Sequence, residues 1–300
     1  MPELPEVETI KRGLSKFCVC QKINSVKVLC DKSFIGPREI VENREIIGFR
    51  RYGKALIVDL SDKVSLMIHL RMTGQLIYRK NGTEKGVEAL PMKLATEKSF
   101  AGGHPTDSFF AELPNKQTRV VLEMDDGTLY FNDQRKFGFI KVLETAEVER
   151  DKFIQSLAKE PWEMKPEELY QKFQRHKNSL VKAVILDQKI ISGLGNIYAD
   201  EALFDAGIHP KTLASKLSLA QVGQLIKSAC KMMEASINSG GSTMATYVKA
   251  DGTKGDYLEK FAKVFRREGQ PCERCGHEII KIRVAGRGTH ICPNCQKEIL

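Results

Sequence analysis

Two cysteine pairs, Cys272-x-x-Cys275 and Cys292-x-x-Cys295, enclose 16 residues. That is the spacing of a site in which four thiolates hold one zinc ion. Four thiolates fill a tetrahedron and leave no open coordination position, so the metal is expected to be structural rather than catalytic. His277 and His290, inside the same module, are then bystanders. Between the pairs, EIIKIRV alternates into Ala285-Gly-Arg-Gly and Thr289-His-Ile follows, which predicts a two-stranded hairpin with Ala285–Gly288 at its tip. Arg287 has no packing task there. It is either a phosphate or minor-groove contact or a solvated turn residue. Residues 261–300 carry eight Lys or Arg against four Asp or Glu, and this excess favours the nucleic-acid reading.

The other end of the chain, MPELPEVETI, places Pro2 and Glu3 directly after Met1. Removal of Met1 ahead of a small residue would leave a secondary amine. An α-amine of pKa about 7.7–8.0 is roughly 10–15% free base at pH 7, whereas an ordinary lysine is well below about 0.1%. Proline at a terminus is therefore a usable nucleophile without burial. Its attack on a sugar carbon gives an iminium that stays cationic, acidifies the adjacent carbon and permits elimination. Glu3 can move the protons. The plainer account is a helix start with a proline and a carboxylate suited to the dipole.

A third segment, SLVKAVILDQKIISGLGNIYADEALFDAGIHP, contains Gly193-x-Gly195, but the third glycine of a dinucleotide fingerprint is Tyr198. A helix, two tight turns and a second helix capped by Asn196 and ending at Gly207 describe it better. The second helix start with Lys182 nearby fits a phosphate site. A plain helical hairpin fits as well.

What positions these groups is a chain of 300 residues, long enough for two domains and an appendage. No stretch is apolar enough to span a membrane, and the acidic Glu3, Glu6 and Glu8 do not suit a targeting signal, so a cytoplasmic protein is expected. A net charge of +9 and pI near 9.0 favour a polyanionic partner. Cys18, Cys20, Cys30 and Cys230 are scattered and read as reduced thiols.

After a helix over about Pro5–Phe17, short β-forming runs fill residues 23–78 and return over Arg119–Phe131, with Asp126-Gly127 as a hairpin turn. Residues 79–117 show little periodicity and are expected to be a long surface loop. From about Glu144 the period becomes helical, with helices expected near Val148–Leu157, Lys165–Arg175, Ser179–Leu186, Ile197–Ala206 and Ser218–Ser239. The expected organisation is α+β: an N-terminal antiparallel β-sandwich over 1–145, a helical domain over 146–260 and a zinc hairpin over 261–300.

PELPEVET, GLGNIYADEALFDAGIHP and GRGTHICPNCQK, in this order, resemble formamidopyrimidine-DNA glycosylase, a bacterial base-excision repair family acting on oxidised purines. The resemblance implies a β-sandwich, a helix-two-turns-helix domain and a zinc finger, with one structural Zn2+ and double-stranded DNA held by a monomer. It further implies a glycosylase and abasic-site lyase with Pro2 as nucleophile and Glu3 as its acid–base partner. Lys54 matches the lysine of the family that contacts phosphate and damaged base. Met72, Arg135 and Phe137 match residues that fill the gap left by an extruded base. His69, Asn196 and Arg287 match phosphate-binding positions, and Glu6 belongs to the acidic start. Gln134, Lys136 and Phe265-Arg266 depart from the usual pattern, and Ala245 stands where a basic residue is common in the Gly-rich loop after Gly241. Two other readings fit parts of the chain. One is an endonuclease VIII-type glycosylase for oxidised pyrimidines, which usually has Gly where Leu4 stands. The other is a non-catalytic zinc-ribbon DNA-binding protein.

Overall fold

The computed structural model describes residues 1–82, 95–96, 99–104, 111–240, 247–248, 254–255 and 261–298. Two compact units emerge, one of Met1–Gln155 with the segment Gly240–Asp256 that holds the short strands at 247–248 and 254–255, and the other of Ser156–Ser239 with Tyr257–Leu300, which carries the helices and the zinc module.

The first unit begins with α1 (Leu4–Cys18). Pro5 suits its first turn, and Val7, Ile10, Leu14 and Cys18 recur at helical spacing to make one apolar face. The strands follow as β1 (Ile23–Val28), β2 (Phe34–Ile35), β3 (Ile46–Tyr52), β4 (Ala55–Leu60), β5 (Val64–His69), β6 (Gly74–Lys80), β7 (Ala95–Thr96), β8 (Ser99–Gly103), β9 (Thr118–Met124), β10 (Gly127–Asp133) and β11 (Phe139–Glu144). They form a six-stranded sheet in the order β1-β9-β10-β6-β8-β7 and a five-stranded sheet in the order β2-β11-β5-β4-β3. Among the described residues only the short β2–β11 pair is parallel. Side chains from both sheets and α1, among them Ile10, Leu56, Ile68, Leu76, Leu122 and Phe131, share one buried core. The expected β-sandwich is present, but the turn expected at Asp126-Gly127 is shifted by one residue to Asp125-Asp126, and Gly127 opens β10 in register with Lys80 of β6.

The expected loop over 79–117 is corrected in part, because Ser99–Gly103 is a buried strand of the six-stranded sheet. Its small residues hide it from pattern reading, yet they are what lets α1 lie close. A side chain at Gly13 would meet Phe100 at 2.1 Å, and one at Gly102 would meet Ile10 at 2.4 Å. The rest of that segment over 83–94, 97–98 and 105–110, and the Gly-rich loop with Ala245, lie outside the described residues.

The helix expected at Val148–Leu157 is also corrected. It is a single turn, α2 (Lys152–Gln155), because the Asp151 carboxylate accepts the Phe153 N–H at 2.9 Å and starts the helix there. The second unit holds α3 (Pro166–Arg175), α4 (Val181–Leu186), α5 (Asn196–Asp205) and α6 (Leu219–Asn238), close to expectation. α6 is capped by Ser218, whose hydroxyl accepts the Gln221 N–H at 3.3 Å. After β12 (Tyr247–Val248) and β13 (Lys254–Gly255) comes the zinc hairpin of β14 (Ile280–Val284) and β15 (Arg287–Ile291). Ala285 and Gly286 have φ of 48° and 75°, so they alone form the turn and Arg287 opens the return strand. The module shares its core with Phe204 of α5, so it packs as part of the helical unit.

Candidate DNA-processing site

At the start of α1, Pro2 and Glu3 are both buried, while Met1 is exposed. Glu3 is the residue before the first helical turn, and its N–H donates to Glu6 Oε2 at 2.8 Å. Glu6 therefore fixes the backbone that carries Pro2 and Glu3. One turn further along α1, Glu8 receives Arg12 Nε at 2.9 Å and Arg51 Nε at 3.0 Å, with Lys11 Nζ also at 3.0 Å. Burial would raise the Glu8 carboxyl, but these three cations override it and hold it below the usual carboxylate range.

Arg51 then donates to the Gly53 carbonyl at 3.2 Å. Gly53 and Lys54 are the two-residue turn between β3 and β4. Glu8 and Arg51 thus tie the turn that carries Lys54 to the helix that carries Pro2 and Glu3. Lys54 is itself buried. Pairing of Ala55 with His69 brings Lys54 next to the end of β5.

His69 sits between the rings of Phe139 and Phe153, at centroid distances of 6.0 and 5.3 Å. Its Nδ1 accepts the Arg71 N–H at 3.0 Å. Burial first, then the charges of Arg71 and Lys54, push its pKa down to about 3. The ring is neutral at physiological pH, and with Nδ1 used as acceptor its proton is on Nε2. His69 is a neutral hydrogen-bond donor, not a cation.

Beyond His69, Met72 lies in the turn between β5 and β6, and Arg135 and Phe137 lie in the loop between β10 and β11. Met72 is 36% exposed and Phe137 57%, so neither is a core residue. The Arg135 guanidinium stands 4.9 Å from the Phe137 ring centroid. Lys136 has φ 58°, the left-handed reversal that separates these two side chains from the strand line. The turn and the loop are joined by Asp133, a residue the sequence reading passed over. Its carboxylate accepts the Thr73 hydroxyl and the N–H groups of Arg135 at 3.1 Å, Phe137 at 2.8 Å and Gly138 at 2.7 Å. An acidic residue at a strand end, five before a glycine, was the available signal.

In the second unit, Gly195 rather than Asn196 caps α5. The Asn196 side chain instead donates to the Gly288 carbonyl at 3.0 Å, beside the exposed Arg287. These two are brought together, but Lys182 is corrected: it has no exposed surface and cannot reach a phosphate. Its Nζ is held by Asp200 Oδ1 at 2.5 Å and Thr289 Oγ1 at 2.7 Å. Asp200 Oδ2 also accepts the His290 N–H at 3.0 Å. The neighbouring Glu201 accepts the N–H groups of Lys263, Val264 and Phe265 at 2.7–3.0 Å, although burial still pushes its pKa upward. Adjacent acids on α5 therefore fasten both edges of the zinc module. Gln188 fixes the glycine turn before α5, accepting the Gly193 N–H at 3.0 Å and donating to the Leu194 carbonyl at 2.9 Å. None of these partners carried a sequence signal.

The sulfurs of Cys272, Cys275, Cys292 and Cys295 lie within 4.8 Å of one another, with Cys275–Cys292 at 3.4 Å and Cys272–Cys295 at 3.9 Å. Four thiolates at about 2.3 Å from one zinc ion stand about 3.8 Å apart, so this set fits one structural zinc. Among the described residues it is the only such cluster of His, Cys, Asp or Glu. No helix among them is long and apolar enough to cross a membrane.

Comparison with known proteins matches residues 1–140 to the formamidopyrimidine-DNA glycosylase N-terminal domain, 157–248 to the formamidopyrimidine-DNA glycosylase H2TH domain and 269–297 to the zinc finger found in FPG and IleRS. The formamidopyrimidine-DNA glycosylase of Pelotomaculum thermopropionicum is 36% identical over 304 residues, covering 99% of each chain. That of an Exiguobacterium species is 37% identical and covers 99% of this chain and 100% of its own. The Lactococcus lactis Fpg in complex with DNA containing an abasic site superposes with a TM-score of 0.82 at 30% identity, over 99% of this chain and 100% of that one. A mutant of the same protein with DNA containing Fapy-dG gives 0.82 at 31%, with the same coverage.

Proposed function

Because the chain belongs to the formamidopyrimidine-DNA glycosylase family, we propose that this DNA-repair glycosylase excises oxidised purines such as 8-oxoguanine and formamidopyrimidines, and then cleaves the abasic strand as a lyase. The observation that carries the reading is the pairing of a buried Pro2 with a buried Glu3 at the start of α1, behind an exposed Met1 that is open to removal. Once Met1 is gone, the Pro2 amine attacks the anomeric carbon of the damaged nucleotide. The bond to the base breaks and the sugar ring opens, leaving an iminium between proline and sugar. Glu3 supplies and removes the protons of ring opening. The cationic iminium acidifies the adjacent carbon, and successive eliminations expel the two phosphates.

Lys54 and the neutral His69 are assigned to phosphate close to the lesion, where a donor that does not need protonation suits a buried position. Arg287 and Asn196 are assigned to phosphate on the second unit, where the zinc hairpin keeps their spacing. Met72, Arg135 and Phe137 are assigned to the gap left by the extruded base, since two exposed apolar side chains and a stacked guanidinium suit an unstacked duplex step. The protein acts on double-stranded DNA as a monomer, in the bacterial cytoplasm.

Excision should be compared on duplexes carrying 8-oxoguanine, formamidopyrimidine or an oxidised pyrimidine. Preferred release of the purine lesions supports the reading, whereas preferred release of the pyrimidine replaces it with the endonuclease VIII-type activity. In Pro2→Gly protein, excision and strand cleavage should fall together while DNA affinity is kept. Full activity in that variant would sink the amine mechanism.

A further inference from the structure

Asp133 is 1% exposed and unites two segments that are far apart in sequence. Its Oδ1 accepts from Thr73 and Arg135, and its Oδ2 from Phe137 and Gly138. The Thr73 hydroxyl in turn accepts the Arg135 N–H at 3.1 Å, closing a ring that includes both the turn and the loop. Arg119 Nε donates to the Asp133 carbonyl at 2.7 Å and pins its backbone. Gly138 completes the arrangement, since a side chain there would meet Phe131 at 2.8 Å and the Asp133 carboxylate at 3.2 Å. One buried carboxylate thus fixes the backbone on either side of Phe137 and directly after Met72.

We propose that Asp133 is a positioning residue for base extrusion, locking the Met72 turn and the Arg135–Phe137 loop into one preassembled wedge before DNA arrives. This rests on the wedge role assigned above to Met72, Arg135 and Phe137. A loop bonded through neutral water contacts would have to be ordered at the moment of unstacking, and that ordering opposes insertion. Four hydrogen bonds converging on one buried carboxylate remove that cost in advance. A carboxamide cannot replace it in full, because in either orientation its NH2 group faces a backbone N–H donor, that of Arg135 or those of Phe137 and Gly138.

The test compares Asp133→Asn, Thr73→Val and Thr73→Ser with Phe137→Ala in the zinc-loaded full chain. Single-turnover excision of 8-oxoguanine is read beside cleavage of a preformed abasic site, where there is no lesion base to unstack. Amide exchange at Phe137 and Gly138 reports the loop itself. Asp133→Asn is expected to slow excision roughly tenfold or more, to leave abasic-site cleavage within about threefold, and to speed exchange of both amides. Thr73→Val should show a smaller form of the same split and Thr73→Ser should restore it, which keeps the test open if Asp133→Asn folds poorly. Excision at the native rate in Asp133→Asn, with Phe137→Ala impaired, overturns the positioning role and leaves the function standing. Equal loss on both substrates in folded Asp133→Asn, or in Thr73→Val, also overturns it. If Phe137→Ala itself excises normally, the wedge assignment falls and the proposal falls with it.

Discussion

Removing the Asp200 carboxylate should strand a buried charge, and the size of the penalty follows from the surroundings of Lys182. Neither side chain has exposed surface, and their separation is 2.5 Å. In Asp200→Ala the ammonium loses its carboxylate, with the Thr289 hydroxyl and a long 3.4 Å contact to the Gly288 carbonyl left in place, and the His290 N–H loses its acceptor. Breaking a fully buried pair from one side costs about 3–5 kcal/mol. Replacing both partners by apolar groups, Lys182→Met with Asp200→Leu, should cost less than about 1–2 kcal/mol, because no charge is left behind. Urea unfolding of the zinc-loaded protein measures both. Trp162 is the only tryptophan of the chain and lies in the helical unit, so its fluorescence reports this region. A loss below about 1 kcal/mol in Asp200→Ala would refute the claim that this pair fastens the zinc hairpin.

Acid should act through His69. Its folded pKa of about 3 lies below the ordinary value of 6.5, so between those values the unfolded chain binds more protons and stability falls as pH falls, by at most about 1.4 kcal/mol per pH unit. Equilibrium unfolding from pH 7 to pH 4 should therefore show a slope that His69→Gln reduces, and an unchanged slope would contradict the assignment. Zinc removal, or Cys292→Ser, should loosen the hairpin and cost DNA affinity roughly tenfold through Arg287. Titration of zinc-free protein with labelled duplex checks this, and native affinity without zinc would contradict it.

The chemistry-bearing residues stood out in the sequence, while the residues that hold them did not. CxxC spacing is local, so the zinc site was legible from four positions. Pro2 and Glu3 were marked by their place in the chain. Met72 and Phe137 would have been read as core from residue type alone, and the fold puts both on the surface. Lys182 failed for the opposite reason. A lysine in a helix-turn segment suggests a ligand, but its partner Asp200 is 18 residues away and Thr289 is 107, distances over which no period or motif speaks. Asp133 and Thr73, 60 residues apart, were hidden in the same way. Strand Ser99–Gly103 was missed because Gly102 answers to the approach of α1 and Gly103 to that of the Gly74 backbone, rather than to an alternating pattern.

The central claim is that the Pro2 amine makes the bond to DNA. Native protein whose intact mass shows Met1 removed should be incubated with an 8-oxoguanine duplex and borohydride, then digested and mapped by mass spectrometry. A reduced sugar adduct on the peptide beginning at Pro2, and on no lysine, is the predicted result. An adduct on Lys54 or another lysine, or strand cleavage by protein that retains Met1, would contradict it.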